Sequence, residues 1–203
     1  MNPPPRSIFL SRDGVINRRL GYGFVRDWQH FEFLPAALDG LRLLARHSYE
    51  VLVFCNQLCL PSGSLSCFEL YRFTQRMLLE VTLAGGNISG VYYTSLLPRC
   101  QWLSARSHIH LLQLALTEHH LLPEDTHFIS DSPTDLAVAR CLGCPTIALC
   151  REAFLNPQLF GDSVCGQVVS NLREAVELVI RHDEDSTLGT NTSWSHPSTP
   201  LRA

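Results

Sequence analysis

The stretch Ser7-Ile8-Phe9-Leu10-Ser11-Arg12-Asp13-Gly14-Val15-Ile16-Asn17 decides the fold. Ile8, Phe9 and Leu10 form a short apolar run that empties into a polar turn holding Asp13 and Gly14, the pattern of a buried strand followed by a tight turn. An open α/β sheet binds ligands in the crevice beyond the carboxyl ends of its strands, so the residues just after Leu10 are the first candidates for chemistry.

Outward from that stretch, strand and helix patterns alternate. Residues 36–47 carry apolar side chains at 37, 38, 41, 44 and 45, which is helical spacing. Residues 50–54 read as a buried parallel strand, 65–84 as a long amphipathic helix stopped by Gly85-Gly86-Asn87, and 90–93 as a third strand. A fourth strand is predicted over 126–129, and a helix follows over 136–142, with Ser132 as N-cap, Pro133 in the first turn and Asp135 stabilising the N-terminus. Strands over 145–149 and 167–169 and a helix over 171–182 complete the pattern. The fold class expected is α/β: a Rossmann-like parallel sheet with helices on both faces. The expected organisation is a flexible N-terminus over 1–6, a single domain over 7–182 and a disordered tail over 183–203, where Ser, Thr, Pro and Asn dominate.

Composition narrows the function classes. With 203 residues and 45% hydrophobic content the chain can bury one substantial core. A net charge of −3 argues against general nucleic-acid binding. All 16 basic residues are Arg, which excludes any mechanism that needs a lysine. No run of about 18 apolar residues exists, so no membrane span is expected. The polar, Pro-rich start does not read as a signal peptide, and the eight cysteines are expected to be reduced thiols of a cytoplasmic or organelle-interior, non-secreted protein. The Cys141/Cys144 spacing spans a helix end and is read as packing.

The opening stretch resembles the first motif of the haloacid dehalogenase (HAD) superfamily, Asp-x-Asp-Gly-(Thr/Val), and Ile16-Asn17 brings it nearest to the heptose-1,7-bisphosphate and histidinol-phosphate phosphatases. The resemblance implies a nucleophile at position 11, here Ser11, and a general acid/base at Asp13. It implies phosphate binding at Cys55 and Asn56 after the second strand, where the family has Thr-Asn, and a charge-neutralising Lys where this chain has Arg106. Asp131 and Asp135 match the family's Mg²⁺-binding acids. The family's four structural zinc ligands fall at Thr94, Leu96, Trp102 and Ser104, none a usual zinc ligand, so no zinc is expected.

A Ser hydroxyl is a weak nucleophile without an activating base, and it adds no charge to hold a metal. The substitutions therefore predict a phosphatase-like protein that has lost hydrolysis and serves as a binding or structural component, a subunit of a larger assembly with a protein partner, needing no cofactor. One alternative is a residual Mg²⁺-dependent phosphomonoesterase on a sugar phosphate such as a heptose bisphosphate. Another is a phosphate-ligand sensor without turnover.

Overall fold

The computed structural model describes residues 6–20, 25, 27–56, 66–94, 104–150 and 166–187, without the side chains of Asn56, of residues 104–107 and of Thr187. Its strands are β1 (Ser7–Ser11), β2 (Glu50–Asn56), β3 (Gly90–Thr94), β4 (Thr126–Ser130), β5 (Thr146–Leu149) and β6 (Gln167–Val169). All pair in parallel, in the order β3-β2-β1-β4-β5-β6. The chain winds outward from β1 to β3, returns to the other side of β1 with β4, and winds outward again. The direction of winding thus reverses between β1 and β4, and a crevice opens beyond their carboxyl ends.

The helices are α1 (Ala37–Arg46), α2 (Cys67–Leu83), α3 (Ser104–Glu118), α4 (Pro133–Cys141) and α5 (Leu172–Thr187). Successive strand residues alternate between faces. Ile8, Leu10, Val51, Val53 and Ile129 pack with Leu41 and Leu44 of α1, Val81 of α2, and Leu172, Val176 and Val179 of α5. Phe9, Leu52 and Phe128 pack on the opposite face with Leu112 and Ala115 of α3 and Leu136 and Ala139 of α4. The expected two-sided α/β architecture is what the chain adopts.

Local chemistry fixes the helix ends. Ser66 and Glu69 form a reciprocal capping box at the start of α2, the Ser66 hydroxyl accepting from the Glu69 amide at 3.2 Å and the Glu69 carboxylate from the Ser66 amide at 2.8 Å. Ser132 caps α4 as expected, with Pro133 in its first turn. Two boundaries need correction. β2 runs two residues further than expected, to Asn56. The domain does not stop at 182, because α5 continues to Thr187, and the tail expectation is left with 188–203, outside the described residues. The reason is tertiary: Tyr49 donates to Asp183 at 2.6 Å, tying the last turns of α5 to the body of the domain. Trp28–His30 form a short 3₁₀ turn, where Trp28 stacks on Phe31 and Arg76 of α2 lies over its ring at 4.6 Å. Among the described residues no helix is long and apolar enough to cross a membrane.

His127 on β4 is 2% exposed, and burial, partly opposed by Asp183, pushes its pKa down to about 4 from an ordinary 6.5. As pH falls through that window the unfolded chain takes the proton first. This contribution to stability is therefore fully present above pH 6.5 and is lost toward pH 4, an effect on the order of 3 kcal/mol. In urea melts at pH 7 and pH 4.5, His127→Phe is expected to lose less stability on acidification than the natural chain; equal losses would refute the assignment.

Candidate functional site

Asp13 and Asp131 follow the two strands that flank the crevice, and each carboxylate is held by an arginine. The first of these arginines, Arg12, is 0% exposed. Its amide donates to the Phe54 carbonyl of β2 at 2.8 Å, while its own carbonyl accepts from Ile16 at 2.9 Å and Asn17 at 3.2 Å, which closes the turn after β1. Its guanidinium donates to both Asp13 oxygens, at 2.8 and 3.3 Å, and lies 5.2 Å from the centroid of the Phe73 ring on α2. Burial by itself lowers the pKa of Arg12, but Cys55 and Asp13 outweigh it and the net direction is up. The same burial pushes the Cys55 thiol up to about 12, so at neutral pH the charge that balances Arg12 is that of Asp13. Asn17, itself fully buried, donates a further bond to Asp13 at 2.8 Å.

Gly14 follows with φ +86°, and a Cβ there would fall 1.9 Å from an Asp131 oxygen. Only glycine allows the turn this conformation and brings the Asp131 carboxylate against the backbone of the first motif. Arg19 then grips Asp131 with both arms of its fork, Nε to Oδ2 at 3.1 Å and an η nitrogen to Oδ1 at 2.6 Å. The same η nitrogen donates to the Asp13 carbonyl at 3.2 Å. Burial lowers the pKa of Arg19, the bonds to Asp131 raise it, and the net direction is up. Between the two acids, Ser11 donates its hydroxyl hydrogen to Ser130 at 2.8 Å, and the Ser130 hydroxyl also accepts the Ser132 amide at 3.0 Å. Among the described residues the recipient of the Ser11 hydroxyl hydrogen is therefore another hydroxyl rather than a base.

These residues suit a divalent cation in one arrangement. The Asp131 carboxylate and the Asp13 carbonyl are hard oxygens that share the η nitrogen of Arg19, and a Mg²⁺ ion completed by water fits them once Arg19 turns outward. Ser11 contributes a neutral oxygen only.

The remaining expected residues separate from this group. Cys55, the expected phosphate-binding position, is 1% exposed and packs in the core beside Arg12. Asp135 turns to His108, whose Nδ1 lies 2.9 Å from its Oδ1, while both Asp131 oxygens are on Arg19, so the expected metal pair has two different partners. Thr94 is buried, its hydroxyl 3.4 Å from the Cys55 carbonyl. The backbones of Asn56 and Arg106 lie in β2 and α3, whereas their side chains, with Leu96 and Trp102, fall outside the described residues. Cys144 packs as expected, but Cys141 is exposed, and both are free thiols.

Sequence reasoning missed both arginines of the site. It also missed His127, His182 and Asp183, whose potential metal-ligating atoms lie within 4.8 Å of one another on β4 and α5. Nothing local in the sequence pairs Arg19 with Asp131, 112 positions away.

No protein-family model matches the chain. It is 32% identical over 83 residues to a D-glycero-alpha-D-manno-heptose-1,7-bisphosphate 7-phosphatase of Mycobacterium tuberculosis, a match that covers 41% of this chain and 44% of that protein. It is 28% identical over 134 residues to a D-glycero-beta-D-manno-heptose-1,7-bisphosphate 7-phosphatase of Helicobacter pylori, covering 64% and 75%. The chain thus spans less than half the length of the first curated relatives it matches. Among solved structures it resembles the D,D-heptose 1,7-bisphosphate phosphatase of B. bronchiseptica complexed with magnesium and phosphate, with a TM-score of 0.77, 19% identity and coverage of 87% and 99%. It also resembles the L-2-haloacid dehalogenase of Xanthobacter autotrophicus, with a TM-score of 0.57, 11% identity and coverage of 87% and 98%. The resemblance to HAD-type phosphatases read from the motifs is borne out in relatives and in fold. The activities named for the curated relatives fit the hydrolase alternative better than loss of hydrolysis.

Removing Asp13 strands a buried guanidinium, at a cost of about 3–5 kcal/mol. Urea unfolding of Asp13→Ala is expected to show that loss, and the double substitution Arg12→Met with Asp13→Ala is expected to recover most of it. A double variant as unstable as Asp13→Ala would count against the pairing.

Proposed function

We propose that the chain is a phosphomonoester hydrolase acting on a sugar phosphate at the crevice between β1 and β4. Its support is the activity named for the curated relatives, together with one observation: two carboxylates, Asp13 and Asp131, stand at the ends of the strands where the sheet reverses its winding. With a hydroxyl at position 11 the reaction does not pass through an aspartyl-phosphate. A water oxygen attacks phosphorus and the ester P–O bond breaks. Asp13 takes the proton from water and returns it to the departing alkoxide. Arg12 and Asn17 orient that carboxylate from the buried side, leaving it 14% exposed toward the crevice. Asp131 and the Asp13 carbonyl would hold Mg²⁺, which when bound supplies positive charge for the phosphoryl oxygens. Loss of a covalent nucleophile costs on the order of a million-fold in one well-measured enzyme, so turnover here is slow.

A second reading is binding of a phosphorylated ligand without turnover, together with a protein partner. The bond from Ser11 to Ser130 and the grip of Arg19 on Asp131 favour it, as do the apolar side chains of Phe68, Tyr71, Leu79 and Leu83, more than half exposed along α2.

Phosphate release from a panel of sugar phosphates that includes a heptose 1,7-bisphosphate, with Mg²⁺ and with EDTA, separates the two. Hydrolysis predicts slow release that needs Mg²⁺ and disappears in Asp131→Asn, with a faster rate in Ser11→Asp. No release above the Asp131→Asn background, combined with saturable thermal stabilisation by the same esters, establishes the second reading instead.

A further inference from the structure

We propose that Arg19 is an internal cation that competes with a divalent metal ion for the crevice, so that the site is latched by its own side chain until the metal displaces it. The inference deepens the hydrolase reading above and rests on it for its biological meaning.

The geometry has three parts. One η nitrogen of Arg19 bridges the Asp131 carboxylate at 2.6 Å and the Asp13 carbonyl at 3.2 Å, and these are the two hard oxygens that a metal ion would need. The Nε atom takes the second Asp131 oxygen at 3.1 Å, so the carboxylate is held by both arms of the fork, and an ion on either oxygen would stand against the guanidinium's charge. The Asp131 carboxylate lies against the Gly14 backbone, where a Cβ would fall 1.9 Å from it, and so stands next to the first motif whose Asp13 carbonyl would share the ion. For the metal to enter, it is Arg19 that has to leave.

The rest of the site makes such an exchange feasible. The Arg19 side chain is 51% exposed, and a swing of its stem returns the guanidinium to water without opening the core. Arg12, fully buried and already committed to Asp13, cannot take over the vacated carboxylate. With Arg19 in place each of the two acids faces its own arginine; with Arg19 outward, the Asp131 charge is left uncompensated by its partner and attracts a metal. Ser11 sharpens the competition. It offers the ion no charge, so fewer anionic ligands oppose the arginine.

The experiment follows Mg²⁺ binding by the thermal unfolding of the full chain, with no substrate present. Arg19→Gln removes the internal cation while keeping a polar, half-exposed side chain. Its Mg²⁺ midpoint is expected to fall about tenfold or more below that of the natural chain, the scale of one charge-assisted pair. Arg19→Gln combined with Asp131→Asn is expected to show no such Mg²⁺ response. Equal midpoints in Arg19→Gln and the natural chain overturn the proposal, as does a Mg²⁺ response that survives the double substitution. The readout is metal binding alone, so a chain that binds Mg²⁺ as expected and releases no phosphate sinks the hydrolase reading and leaves the latch standing. Phosphate release that coincides with equal midpoints does the reverse.

Discussion

A guanidinium with no exposed surface has to be balanced where it stands, and the turn after β1 is built to meet that requirement. Arg12 ties Asp13 by two bonds, closes the turn through its own carbonyl and meets Phe73 of α2 from the other side. The conformation of the first motif is therefore a property of the core as much as of the crevice. An acid at position 13 is needed for structure whatever chemistry it also performs, and its presence alone says little about turnover. Asp131 differs. Its arginine is half exposed, so that acid can be freed without unfolding anything.

The fold was legible because its signals were local. Ile8 to Leu10, Val51 to Val53 and Ile147 to Leu149 are short β-rich runs, and Ser132-Pro133 and Gly143 mark the limits of a helix by their own backbone preferences. The site was legible only as far as the motif positions reach: Ser11, Asp13 and Asp131 do gather at one crevice. What stayed hidden depended on distant partners. Arg12 sits between two polar residues in a turn and reads as a solvated charge, yet Phe73 and Asp13 enclose it. Cys55 reads as the open end of a strand, but β2 continues past it and Arg12 covers it. The helical pattern of α5 loses its apolar spacing after Ile180, and the turns beyond it are held by the reach of Tyr49 to Asp183, a contact no local rule contains.

The relatives and the site pull in different directions for a physical reason. Similarity of sequence and fold measures how many residues keep the sheet, its helices and its turns, and most of the chain serves that purpose. Chemistry at a phosphorus atom depends on a handful of atoms. A hydroxyl in place of a carboxylate at position 11 changes few contacts, since Ser130 receives its hydrogen at 2.8 Å, but it changes the charge of the crevice by a full unit. Fold and reaction are thus separable here.

The strand order also shapes how the chain comes into being. β1, which precedes β2 and β4 in the chain, ends up inside the sheet, with β2 on one side and β4 on the other. On the ribosome, β1, β2 and β3 can pair as soon as they emerge. The second edge of β1 stays bare until residues 126–130 arrive, 119 positions after their partners in β1. Through that interval the nascent protein displays the unpaired backbone of a strand whose centre, Ile8 to Leu10, is apolar. A chain arrested before β4 is therefore a template for edge-to-edge pairing between neighbouring nascent chains, and the pace of translation across α3 governs how long that hazard lasts.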